Sequence, residues 1–304
     1  MNNNSLILII SISLNFSLAA DPITINLITT NDIHGVISEQ MANFMNPQYP
    51  PKILGGTAMY GYVERLRISL EKSSDGLLML DAGNFFQGHP LGLIDGGESM
   101  IQWMNGLHYD AIVPGRYDFI LGSENLNEVI QSAEFPFLAA NLSCDNCGLD
   151  TNKIQPFIIK EIQGVKIGIL GIVTSGLKDW VLSENIVGIN VENEVPALQK
   201  WVPIIKESGA EVVIVLTSAG VPWEREKVYA DFRQRMLDDP DWNPADTTLN
   251  TMQMGYFSEG VDIIISGGES KGYPLPWYDP HSHTYIFQNY GNGTEFGHIR
   301  LKID

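Results

Sequence analysis

The sequence predicts an α/β fold with mixed strands, on three observations. Short apolar runs rich in Val, Ile and Leu alternate with segments whose apolar residues recur at helical spacing. One pair of runs, in "PFIIKEIQGVKIGILGIV", is joined by a turn near Gly164 too short for a crossover, so its strands are antiparallel. Most other runs are separated by a helical segment, which suits parallel pairing.

Taken in order, the strand candidates are "TINLITT" (24–30), "LLMLDA" (77–82), "YDAIVPG" (109–115), "FPFLAANL" (135–142), the hairpin over 156–173, "EVVIVLT" (211–217), "VDIIIS" (261–266), "TYIFQNY" (284–290) and "HIRLKI" (298–303). The helix candidates are "TAMYGYVERLRISLEK" (57–72), "ESMIQWMNGL" (98–107), "SENLNEVIQSA" (123–133), "VPALQKWVPIIKE" (195–207) and "WEREKVYADFRQRML" (223–237). The stretch "PDWNPADTT" (240–248) reads as an excursion before the next strand. No repeat or linker divides the chain, so residues 21–304 are expected to form one domain.

The first 20 residues, "MNNNSLILIISISLNFSLAA", hold an apolar run followed by small residues at Ser17, Ala19 and Ala20. This pattern predicts a cleaved export signal and a secreted or periplasmic protein, although the n-region carries no Lys or Arg; the rival reading is a short membrane anchor. With the signal removed, no further membrane segment is expected. The formal net charge of −18 argues against binding a nucleic acid polymer, and an anionic ligand needs a local cation. Cys144 and Cys147, spaced C-x-x-C in an exported chain, read first as a small loop disulfide, with free thiols or a redox pair as alternatives. Asn141 and Asn292 lie in N-x-S/T sequons.

Ligands of open α/β sheets gather at the carboxyl ends of strands. Those ends read "TTNDIHG", "LDAGNFFQGHPLG", "VPGRYDFILG", "LAANLS", "LTSAGVPWE" and "ISGGESKGY", with "IFQNYGNGTEFGHIRLKID" closing the chain. From about Thr24 onward this series resembles the metallophosphoesterase domain of the 5'-nucleotidase family. The resemblance implies a four-layer αββα sandwich of two mixed sheets. It also implies metal-dependent hydrolysis of nucleotide phosphoesters, with two divalent cations about 4 Å apart activating a water. The family commonly continues into a domain that stacks the nucleotide base, and "LKID" falls where the first domain would end.

Carried over by position, the family's D-x-H is Asp32 and His34. Its bridging Asp is Asn84, a weak ligand. Its G-N-H is Gly115–Arg116–Tyr117, with Tyr117 at the proton-donor His, and its T-H is Thr217–Ser218. Its G-H-x-H is occupied by Gly267, Gly268, Glu269 and Ser270, with Gly268 and Ser270 at the two imidazoles. Six of the eight groups are substituted. A guanidinium about 5 Å from a divalent cation costs about 6–7 kcal/mol at an effective dielectric of 20.

The expectation is therefore an inactive or feeble relative that acts by binding a small anion, a phosphate or a protein partner. The alternative is an active phosphoesterase using one divalent metal, Mn or Zn, or rebuilt ligands; His281 and His283 in "DPHSHTY", with His89, Asp118 or Glu269, are the candidates for rebuilding. Two readings of Arg116 stay open. It presents its planar fork to an anion, or it forms a salt bridge with Asp32 or Asp118 while Tyr117 fills the space of a lost ring. Asp32 and His34 are expected to brace the first strand-end turn as a hydrogen-bonded pair.

Overall fold

The computed structural model describes residues 23–43, 45–73 and 75–303; the expected signal segment lies outside the described residues. Twelve strands build two sheets: β1 (Ile23–Thr30), β2 (Gly76–Asp81), β3 (Ala111–Ile112), β4 (Phe137–Leu138), β5 (Ile154–Gln155), β6 (Phe157–Ile162), β7 (Val165–Ile172), β8 (Val212–Thr217), β9 (Ile263–Ser266), β10 (Trp277–Tyr278), β11 (Tyr285–Phe287) and β12 (Gly297–Ile303). The first sheet runs β12-β1-β2-β3-β4-β5, antiparallel only at β12/β1. The second runs β10-β11-β9-β8-β7-β6, antiparallel at both edges and parallel between.

Strand periodicity makes the layers. Along β8, Ile214 and Leu216 join one core with β1 and β2, while Val213 and Val215 face a second core with helical side chains. That second core holds Leu198 and Val202 of the helix Glu194–Glu207, Tyr229 and Phe232 of the helix Arg225–Asp238, and Met252 of the helix Thr251–Tyr256. Against the first sheet lie Met59 and Val63 of Gly55–Leu70, Met104 of Glu98–Gly106 and Leu126 of Ser123–Ser132. The architecture is a four-layer αββα sandwich.

Two expected strands are much shorter than their apolar runs. Residues 109–115 keep only Ala111–Ile112, ahead of Pro114, which lacks an N–H for the ladder. Residues 135–142 keep Phe137–Leu138, after which the chain is drawn to the second sheet: Ala140 N–H donates to the Gly171 carbonyl (2.8 Å), and Asn141 donates to the Val173 and Glu192 carbonyls. Asn141 also accepts from Val173 N–H and is buried, so the folded chain has no room for a glycan there. The helix Thr251–Tyr256 is not among the helices expected from the sequence, although Asn250 and Gln253 form the capping box that marks its start. Cys144 and Cys147 are bonded to each other, with Cα atoms 5.4 Å apart.

The sheets touch closely at Gly171, where an added Cβ would stand 2.1 Å from the Leu138 carbonyl oxygen. Gly171→Ala should cost about 2–3 kcal/mol by overpacking this contact, read as a lower urea midpoint with an unchanged slope.

Candidate functional site

The strand-end loops bring most of the predicted residues together. Asp32 and His34 follow β1, Asn84 follows β2, Arg116 and Tyr117 follow β3, Ser218 follows β8, and Gly268 and Ser270 follow β9. Asp32, His34 and Asn84 all have left-handed backbones (φ 49°, 54° and 61°), a cost tolerated where surrounding hydrogen bonds fix the turn. Glycine is required at 268, where φ is +103° and a Cβ would meet the Ser218 carbonyl oxygen at 2.0 Å.

Asp32 is buried and saturated by amides. Its Oδ1 accepts from Asn84 Nδ2 (2.7 Å) and from Gly268 N–H (2.9 Å); its Oδ2 accepts from Asn31 Nδ2 (3.0 Å). Asn84 in turn accepts from Tyr117 N–H through Oδ1 (2.9 Å). One neutral side chain thus ties the loops after β1, β2 and β3. The expected Asp32–His34 hydrogen bond is not made: the closest approach is 3.9 Å. His34 instead pairs Nδ1 with the Gln87 carbonyl (2.7 Å), which fixes Nδ1 as the donor and leaves Nε2 to accept from Ser270 Oγ at 3.4 Å.

Asp118 and Asp81 are buried beneath the same loops. Asp118 accepts three backbone N–H groups, from Gly115 (2.7 Å), Asn84 (2.8 Å) and Phe85 (2.9 Å); Asp81 accepts from Thr30 Oγ1 (2.6 Å) and Gly83 N–H (2.7 Å). Burial pushes Asp118 up to about 7 and holds Asp81 well above the ordinary carboxylate range, against the pull of their hydrogen bonds.

Arg116 pairs with neither Asp32 nor Asp118, because both carboxylates are already filled by amides. Among the described residues no carboxylate lies within 4.0 Å of its guanidinium. The side chain is 8% exposed; Nη2 donates to the Gly268 carbonyl (2.5 Å) and Nε is buried without a partner. The guanidinium carbon sits 3.9 Å from the centre of the Trp180 ring and 5.1 Å from that of Tyr117. Tyr117 also meets the His34 ring edge-on at 5.7 Å. Ser218 contributes a second buried, unpartnered polar atom, its Oγ.

Sequence reasoning missed Trp180, which lies in the loop after β7 with no motif around it, and Asn31, which holds Asp32 Oδ2. His281 and His283 do not join the site. His281 stacks on Tyr256 at 3.9 Å and pairs Nδ1 with the Tyr256 carbonyl, and His283 pairs with Tyr278 Oη (2.7 Å). The return of their loop is set instead by buried Asp279, which accepts from the backbone N–H of His281 and Ser282. His89 caps the turn Pro90–Leu93. Glu269 packs against Gly220, and its carbonyl accepts from Gln288. A cavity of 610 Å³ lies alongside, between Asn31, Gly56, Trp103 and Phe296; Asp32, His34 and Arg116 do not line it.

The fold agrees with what is found among known proteins. The trifunctional nucleotide phosphoesterase YfkN of Bacillus subtilis is 26% identical over 284 residues, covering 86% of this chain and 17% of that protein. The human 5'-nucleotidase is 25% identical over 306 residues, covering 94% of this chain and 48% of that protein. The chain is a divergent relative of the 5'-nucleotidase metallophosphoesterases. Among solved structures, the NAD nucleotidase of Haemophilus influenzae superposes with a TM-score of 0.68 at 18% identity, over 93% of this chain and 48% of that one, and shares the fold. No family model matches the sequence. The chain spans about half the length of the human enzyme, and a smaller share of YfkN.

Two outcomes follow from the buried carboxylates. Asp118 is raised from 3.8 to about 7, so its contribution to stability is present at low pH and lost as pH rises through 7, on the order of 4 kcal/mol. Asp81 and Glu194 are raised too and act in the same direction. Melting temperature should therefore climb between pH 8 and pH 5. Asn84→Asp replaces the donor facing Asp32 by a like charge and should cost about 2–4 kcal/mol at pH 8, with part recovered at pH 5, by denaturant titration at the two pH values.

Proposed function

We propose that this chain is a binding protein built on the phosphoesterase scaffold, which captures a small phosphate-bearing anion at Arg116 and does not hydrolyse it. The observation that carries this reading is the guanidinium: buried, free of any carboxylate among the described residues, and with Nε lacking a partner. A buried cation is costly unless an anion compensates it, and a planar fork suits phosphate oxygens. Ser218, whose carbonyl oxygen lies against Gly268, supplies another buried unpartnered polar atom in its Oγ, which a ligand oxygen or a water would satisfy.

A pair of divalent cations does not suit these residues. At the positions where the resemblance places metal ligands, His34 and Asp32 are the one imidazole and the one carboxylate present. The carboxylate is filled by three amide donors, and Asn84, in the bridging position, turns its N–H₂ toward Asp32. Among the described residues no three His, Cys, Asp or Glu groups converge to hold a metal. Phosphate-type ligands are the class suggested by the names of the curated relatives, a nucleotide phosphoesterase and a 5'-nucleotidase. Export to a secreted or periplasmic location is part of this reading, supported by the apolar segment within residues 1–20 and by the disulfide. Among the described residues no helix is long and apolar enough to cross a membrane.

Calorimetric titration of the purified chain with inorganic phosphate tests the proposal. Binding that disappears in Arg116→Gln, together with no turnover of 4-nitrophenyl phosphate in the presence of Mn²⁺ or Zn²⁺, is the expected result. Metal-dependent turnover by the unaltered chain would overturn it.

A further inference from the structure

Beside the guanidinium the protein exposes a group of apolar side chains that an inorganic anion would leave unused. Trp180 is 54% exposed even though Arg116 covers part of its ring at 3.9 Å. Leu182, Val187 and Leu121 are 66%, 65% and 45% exposed. Their two segments are held together by a side-chain amide: Asn185 Nδ2 donates to the Ile120 carbonyl (2.7 Å), which lays the segment from Trp180 to Val187 against the turn that follows Arg116 and Tyr117. Several large apolar side chains exposed together, on a chain of net charge −18, mark a surface adapted to contact something.

We infer that the ligand of Arg116 is an organophosphate whose ester group is an aromatic ring, lying along Trp180 and the rim formed by Leu121, Leu182 and Val187. The inference rests on the anion reading of Arg116 given above. Three features assign the two ends. The guanidinium, the cation buried at this point, takes the phosphate. Glu184, exposed within the rim segment, and Asp179, exposed just before it, outnumber the one exposed cation there, Lys178, and so favour the uncharged end of the ligand. The indole presents a flat surface already stacked on a planar guanidinium, and a planar ring gains more from such a surface than a flexible alkyl chain does. Phenyl phosphate carries such a ring directly on its ester oxygen, and the site as described reads the ring and the phosphate alone.

The test compares inorganic phosphate, phenyl phosphate and hexyl phosphate by calorimetry on the whole chain. Stacking on an exposed aromatic residue predicts phenyl phosphate binding about tenfold or more tightly than inorganic phosphate, with hexyl phosphate between them. In Trp180→Ala, and separately in the surface variant Leu182→Ser, the ratio of phenyl phosphate to inorganic phosphate affinity should fall toward one. Inorganic phosphate bound through Arg116 with phenyl phosphate no tighter would overturn the inference and leave the anion reading standing. Hexyl phosphate equal to phenyl phosphate would overturn the assignment of a ring. Absence of binding by all three would remove both readings.

Discussion

The amide of Asn84 is the contact on which the site depends. It donates to Asp32, accepts from Tyr117 N–H, and is clamped from below by Asp118, which takes the backbone N–H of Asn84 itself and of Phe85 and Gly115. Two buried carboxylates are thereby satisfied with no positive charge. A carboxylate at position 84 would face Asp32 with nothing between them to neutralise either. The neutral amide and the saturated aspartate therefore belong together, and each accounts for the other.

Filling Asp32 and Asp118 with amides leaves Arg116 without an acidic partner. Its guanidinium settles on the Gly268 carbonyl and on the Trp180 ring, two contacts that hold its plane and do not cancel its charge. A cation held in this way differs from a metal ion in what it does to a bound phosphate. It orients and attracts oxygens in a plane, and it provides no bound water to attack phosphorus.

The same strand ends are tied to one another across the two sheets. Gly268 N–H binds Asp32 across the gap between the two sheets, and Asn289 exchanges hydrogen bonds with Asn31 beside it, so the loops of both sheets are tied together. The left-handed turns at Asp32, His34 and Asn84 persist for the same reason. The loops are fixed by backbone bonds and by side-chain amides.

The sequence by itself determined the alternation of strands and helices, the hairpin at Gly164 and the order of the strand-end motifs, because these are local patterns or positions in one line of text. Boundaries were legible where one apolar face was continuous, as at β7 and β8, and lost where Pro114 or the bend at Asn141 cut pairing short. Tertiary structure alone decided the partner of each polar group. The distance from Asp32 to Asn84 and Gly268 spans 52 and 236 positions of chain. No spacing rule foretold that amides would reach Asp32 before Arg116 could, that Trp180 would meet the guanidinium, or that His281 would turn to Tyr256. Hydrogen bonding and burial are properties of what the fold brings near, and a charged group takes its role from whichever neighbours have not already been claimed.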